Sequence, residues 1–182
     1  VDIAAAGSPW ADILEDRGNK AYRLDMVYQK GVNGVNIGAD AGNTNLPGDF
    51  ADVLSAQCAY ECFIGDSDIR FVKEASRILK TNGRLGIVPL YIDNTYYVAT
   101  SPYCNQGEVN IEDEAVRVWR DDNSIIPFSR HYSPEAFKSR IYLNIPDNLK
   151  AEVLFFKNLP EVIKYYKGQK IYCYFMLIAK RT

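Results

Sequence analysis

The sequence predicts an α/β fold, a doubly wound, mostly parallel seven-stranded sheet whose last strand runs antiparallel. Three observations predict it. The chain opens on an apolar, β-branched run, residues 1–3, that passes straight into the small-residue turn Ala4-Ala5-Ala6-Gly7-Ser8. Residues 1–92 then read as strand, helix, strand, strand, strand, helix, strand, the succession that builds parallel βαβ units. Two further strand-like runs, 151–156 and 171–179, close the chain. The segment between them, with Pro160 and Gly168, is too broken for a good crossover, so this last pair reads as antiparallel.

Each element has a local reason. In the opening turn the side chains are small where the backbone must approach a ligand, and Pro9 is tolerated in the first turn of the helix expected to run to about Glu15. Gly18-Asn19 makes a turn, and residues 21–26 form a second strand that ends at Asp25. Residues 29–36 read as a loop. Residues 35–40 form a short third strand, again ending on an acid, Asp40, with small residues Ala41 and Gly42 behind it. No long helix fits between this strand and the next, 50–60. Asp66-Ser67-Asp68 is expected to cap a helix whose apolar residues Ile69, Val72, Ala75 and Leu79 recur at helical spacing. That helix should stop at Thr81-Asn82-Gly83, with Arg77 and Lys80 in its last turn. The fifth strand is 84–92, and Ser133-Pro134-Glu135 starts a late helix that reaches about Ile141.

Bulk properties narrow the partner. With 182 residues and 47% apolar content, the chain suits one domain, 1–182. A net charge of −2, with 21 scattered Lys and Arg, argues against a nucleic-acid or anionic-membrane surface and favours a small-molecule partner. Cys58, Cys62, Cys104 and Cys173 lack paired metal-ligand spacing, and one histidine is too few, so no metal is expected. There is no secretory pattern and no apolar run of bilayer length, which favours the cytoplasm. The oligomeric state is left open. An apolar strand at residue 1 has nothing before it to cover the sheet, so a preceding helix is expected to be missing.

Two acids stand where nucleotide chemistry needs them. Asp25 lies at about the spacing at which βαβ units place a carboxylate to accept from two ribose hydroxyls, the rival reading being a solvated strand-end acid. Asp40, flanked by small residues, suits the exocyclic amine of an adenine. Residues 91–133 break the alternation and hold Tyr91, Tyr96, Tyr97, Tyr103, Trp119 and His131, with the acidic run Glu112-Asp113-Glu114. This insertion is expected to be a substrate cover, with a packed surface excursion as the alternative.

The motifs Asp2-Ile3-Ala4-Ala5-Ala6-Gly7, Asp25, Asp40-Ala41 with Leu46-Pro47, and Phe50-Ala51-Asp52-Val53 leading to Tyr60-Glu61 resemble those of the class I S-adenosylmethionine-dependent methyltransferases, type 11-like. Residues 74–85 and the run Tyr132-Ser133-Pro134-Glu135 extend the resemblance over nearly the whole chain. The resemblance implies a Rossmann-like fold and S-adenosyl-L-methionine as cofactor. It places the backbone of Ala4, Ala5, Ala6 and Gly7 at the methionine end, with Asp2 acting there through water. It also places Asp25 on the ribose with Met26 beside it, Asp40 and Ala41 on the adenine, and Gln57 and Cys58 around the methionine and methyl group. The sequence departs from the family in two ways: Ala4 and Ala6 replace glycines, and Cys62 replaces a common histidine.

Methyl transfer needs alignment and a dry site more than side-chain chemistry. A hydroxyl acceptor benefits from a base, and His131, the one group that titrates near neutrality unperturbed, is the candidate, against a loop-tying role. Tyr60 and Glu61, with Tyr91 and Tyr96 of the insertion, are the expected substrate residues. Two alternatives stand beside this reading. One is a non-catalytic cofactor-binding or regulatory domain of the same fold. The other is a short-chain NAD(P) oxidoreductase, suggested by Tyr166 and Lys170 but lacking the glycine pattern for a pyrophosphate.

Overall fold

The computed structural model describes residues 1–102, 109–120, 127–165 and 174–182. A seven-stranded sheet is ordered β3-β2-β1-β4-β5-β10-β9. Its strands are β1 (Asp2–Ile3), β2 (Arg23–Asn33), β3 (Asn36–Gly38), β4 (Ala51–Gln57), β5 (Leu79–Leu90), β9 (Leu149–Phe155) and β10 (Phe175–Arg181). β1 pairs in parallel with β2 and β4, β4 with β5, and the Arg23–Asp25 limb of β2 with β3, whereas β10, the last strand, is antiparallel to both β5 and β9. The expected fold class is therefore the observed one.

Helix α1 (Trp10–Asp16) links β1 to β2, and α2 (Ser67–Ile78) links β4 to β5. The chain steps away from the centre in opposite directions, so right-handed crossovers put the two helices on opposite faces. The reversal falls between β1 and β4, where open α/β sheets bind ligands at the carboxyl ends of their strands. Leu54 and Ala56 of β4 and Leu85 and Ile87 of β5 pack with Phe71, Val72, Ala75 and Ile78 of α2 in one buried cluster.

Three expectations are corrected. Residues 29–36 are not simply loop: β2 runs on to Asn33, turns at Gly34 (φ +62°) and returns as β3. Ile37 pairs with Leu24 on the outward limb and with Val32 on the return. A Cβ on Gly38 would run into the Gln29 carbonyl oxygen, so this contact needs glycine. Asn33-Gly34 was the available hairpin signal, masked by a run without apolar alternation.

Second, α2 ends at Ile78, and Leu79 already belongs to β5. Lys80 is thus on a strand, 2.9 Å from Asp52, rather than in a last helical turn. Third, Asp66 makes no side-chain cap bond, and Asp68 enters a buried ion network. Ser133 behaves as expected, accepting from the Ala136 N–H at 3.1 Å to cap α3 (Pro134–Arg140). Helix α4 (Leu159–Tyr165) lies between β9 and β10.

Between β5 and α3 a second sheet forms from β6 (Tyr97–Thr100), β7 (Val116–Trp119) and β8 (Ser129–His131), in the order β7-β6-β8. Ile92 bridges to Tyr132, which joins this sheet to the end of β5. Among the described residues no helix is long and apolar enough to cross a membrane, and no group of three His, Cys, Asp or Glu is placed to hold a metal ion.

Candidate active site

At the switch point the backbone turns sharply. Ala4 sits at φ +54° and Gly7 at φ +79°, and at the exit of β4 Cys58 sits at φ +49° while its N–H donates to the Val88 carbonyl at 2.9 Å. A left-handed conformation is uncommon for a residue with a Cβ, and such positions concentrate where a fold serves a ligand. Asp25 ties the first two strand ends together: Oδ2 accepts from the Ala6 N–H at 3.0 Å and Oδ1 from the Val27 N–H at 3.1 Å.

These strand ends enclose a cavity of about 170 Å³. Ala4, Leu24, Asp25, Met26, Ala39, Asp40 and Ala41 line it from the strands, and Cys62, Phe63, Ile64 and Ser67 from the turn that leads into α2. A neighbouring hollow of about 420 Å³ shares Met26, Ala39 and Asp40. A larger hollow of about 520 Å³, lined by Val1, Trp10, Asn19, Tyr22 and Phe50 among others, lies instead at the amino ends of β1, β2 and β4, the wrong end of a parallel sheet for a ligand.

Five residues singled out from sequence therefore share one cavity: Ala4, Asp25, Met26, Asp40 and Ala41. Ala5 is buried, while Ala6 and Gly7 are exposed beside it. Asp2 is buried and accepts from Ser8 Oγ at 2.8 Å and Ser55 Oγ at 3.0 Å, so both its oxygens have protein partners. Gln57 and Cys58 do not line the cavity, and Gln57 Nε2 is buried with no partner among the described residues. Sequence reading missed Leu24, Ala39, Phe63, Ile64 and Ser67. The adjacent apolar pair Phe63-Ile64 just before Gly65 and Asp66 was the available signal.

The proposed acceptor residues divide. Tyr60 is wholly buried, its hydroxyl donating to the Asp68 carbonyl at 3.3 Å, and burial pushes its pKa well up. Tyr96 is buried too: its ring stacks on Tyr132 at 6.0 Å, its hydroxyl donates to Glu112 at 3.0 Å, and burial raises its pKa to about 12. Both are core groups and not open walls. Glu61 differs. Its Oε2 is buried without a partner among the described residues, and burial holds its carboxyl above the usual range. Cys62 beside it is raised to about 11, by burial first and by Glu61 second.

His131 lies between two tyrosine rings, Tyr91 at 4.4 Å and Tyr97 at 4.3 Å. Its Nδ1 is 2.8 Å from the Tyr97 hydroxyl and its Nε2 3.2 Å from Ser129 Oγ. Burial lowers its pKa, partly opposed by Asp93 at 3.7 Å, so the ring is neutral at pH 7. Tyr91, the first residue after β5, joins the strand end to this stack. Tyr103, Cys104, Cys173 and the pair Tyr166 and Lys170 lie outside the described residues.

No protein-family model matches the chain, and neither does any curated protein. Solved structures do match. An S-adenosylmethionine-dependent methyltransferase from Mesorhizobium loti superposes with a TM-score of 0.59 at 15% identity, over 100% of this chain and 89% of that one. The 1,6-didemethyltoxoflavin-N1-methyltransferase of Burkholderia thailandensis, solved with bound 1,6-didemethyltoxoflavin and S-adenosylhomocysteine, gives 0.59 at 10% identity, over 100% and 69%. The [4+2]-cyclase SpnF gives 0.50 at 14% identity, over 99% and 73%. From end to end, the chain has the fold of the S-adenosylmethionine-dependent methyltransferases.

Proposed function

We propose that the chain is an S-adenosyl-L-methionine-dependent methyltransferase that acts on a small-molecule acceptor at oxygen or nitrogen. The observation that carries this reading is the pair of carboxylates, Asp25 at the last parallel-paired position of β2 and Asp40 just past β3, around one cavity that Ala4 and the apolar Leu24, Met26, Phe63 and Ile64 also line. The donor set fits an adenosyl group: acceptors for ribose hydroxyls and an exocyclic amine, with apolar surface for a flat ring. Nothing at the Ala4 to Gly7 turn supplies the glycine-rich cradle of a pyrophosphate.

When bound, the cofactor supplies an electrophilic methyl group on a sulfonium sulfur. Asp25 offers its remaining lone pairs to the ribose, Asp40 and the Ala41 backbone read the adenine edge, and the Ala4–Gly7 backbone faces the methionine end. Met26, Phe63 and Ile64 offer the ring apolar surface. The protein's remaining task is to hold an acceptor lone pair in line with the methyl carbon. Glu61, at the exit of β4, is the group suited to accept from the acceptor's O–H or N–H, and Tyr91 with the small sheet forms the cover. His131 is assigned no proton transfer, because both its ring nitrogens already face partners.

The test is turnover: release of S-adenosylhomocysteine from S-adenosylmethionine on a panel of hydroxylated and amine-bearing small molecules, with and without Glu61→Gln. Turnover on a member of the panel, reduced in that variant, supports the reading. A second reading, a cofactor-binding chain of this fold with another task, is favoured by the likeness to a cyclase. Cofactor binding without turnover on any acceptor would select it.

A further inference from the structure

The Asp40 carboxylate is clamped from two sides. The Gly42 N–H donates to Oδ1 at 2.8 Å, and Arg70 Nη1 donates to Oδ2 at 2.7 Å. Arg70 is itself anchored, with Nε on Asp66 Oδ1 at 2.9 Å and Nη2 on Ser67 Oγ at 2.7 Å. Gly42 matters also for what it lacks. A Cβ there would stand 2.8 Å from both the Cβ and Nη1 of Arg70, so glycine leaves the space through which the guanidinium reaches Asp40.

A carboxylate has about four lone-pair sites, and this clamp uses one on each oxygen. The sites left over belong to a group that lines the cavity, and their direction is set by the clamp. An ionised carboxylate only accepts, so it welcomes a donor at the edge of a bound ring and repels a carbonyl oxygen.

We propose that Arg70 is a positioning residue that sets base selectivity: by holding the Asp40 carboxylate, it makes the site select a 6-aminopurine over its 6-oxo counterpart. This rests on the cofactor reading above, and it adds a residue from α2 to the determinants of the adenine end.

The experiment is calorimetric titration of the whole chain, wild type and Arg70→Met, with S-adenosylhomocysteine and S-inosylhomocysteine. The wild type should prefer the adenosyl compound by about 10- to 100-fold, the scale of a lost hydrogen bond to a charged group. In Arg70→Met the preference should fall to within about threefold, because a carboxylate held only by the Gly42 N–H can turn about that single bond and no longer presents one orientation. Arg70→Lys should lie between, since an ammonium keeps the charge but loses the planar fork that engages three partners at once. A merely structural role would weaken both compounds alike and leave the ratio unmoved. Gly42→Ala, which crowds the guanidinium from the other side, should lower the ratio in the same way and serves if Arg70→Met does not fold. Equal binding of the two compounds by the wild type, or an unchanged ratio in the variants, would overturn the role of Arg70 and leave the cofactor reading standing. A wild type that binds neither would overturn both.

Discussion

Asp68 and Arg130 meet at 2.9 Å with both side chains wholly buried. The same carboxylate accepts from the Tyr132 hydroxyl at 2.6 Å and from Arg140 Nε at 2.8 Å, while Glu112 balances the second guanidinium. One acid in the first turn of α2 thereby gathers β8, α3 and the segment before β7. Arg130 also donates to the carbonyls of Phe63 at 2.7 Å and Gly65 at 3.0 Å, which fixes the turn that walls the cavity.

Breaking such a pair leaves an uncompensated buried charge, so Arg130→Met should cost about 3–5 kcal/mol of stability. Urea unfolding checks it. A loss under about 1 kcal/mol, the scale of an exposed pair, would contradict the network's role. Because the Phe63–Gly65 turn loses its anchor, cofactor affinity should fall as well.

Glu61 gives a pH signature. Its folded carboxyl holds a proton more tightly than the unfolded chain does, so stability should decline as pH rises from about 4.5 through the raised folded value. Glu61→Gln removes that decline and should be the more stable protein at neutral pH. It should also lower turnover by about 100-fold while leaving cofactor affinity intact. Parallel melting curves of the two proteins from pH 4 upward would refute this.

His131 carries the opposite sign. Above its ordinary value of 6.5 the ring is neutral in both states, and below it the unfolded chain takes the proton more readily. Its share of stability is therefore full above 6.5 and is lost as pH falls toward and through the lowered folded value. His131→Asn should flatten this part of the acid limb in pH-dependent thermal melts. Removing a general base costs about 100-fold or more in turnover, and His131→Asn should fall well short of that.

Much of this was legible in the residues. The alternation of strand and helix, the small-residue turn at Ala4 and the two strand-end acids at Asp25 and Asp40 are local patterns, and the structure collects them at one cavity. What was not legible depends on distant partners. The role of Asp68 is set by Arg130 and Arg140, which lie far away in the chain, so a helix-capping pattern concealed an ion-network residue. Tyr96 looked like an open aromatic until its stack on Tyr132 and its bond to Glu112 placed it in the core. The return limb of β2 had no apolar alternation to reveal it, and only the Gly38 contact with Gln29 shows why it pairs. Arg70 reads as an ordinary helix-surface cation unless Gly42 is seen to leave it room.

The central claim is that the cavity at the ends of β1, β2 and β3 takes an adenosyl-methionine cofactor. Calorimetric titration of the wild type and Asp25→Ala with S-adenosylhomocysteine and NADPH tests it most directly. The account predicts binding of S-adenosylhomocysteine and none of NADPH, with affinity reduced by about 100-fold in Asp25→Ala, the scale of hydrogen bonds to a charged group. Binding of NADPH in preference, or of neither compound, would contradict it.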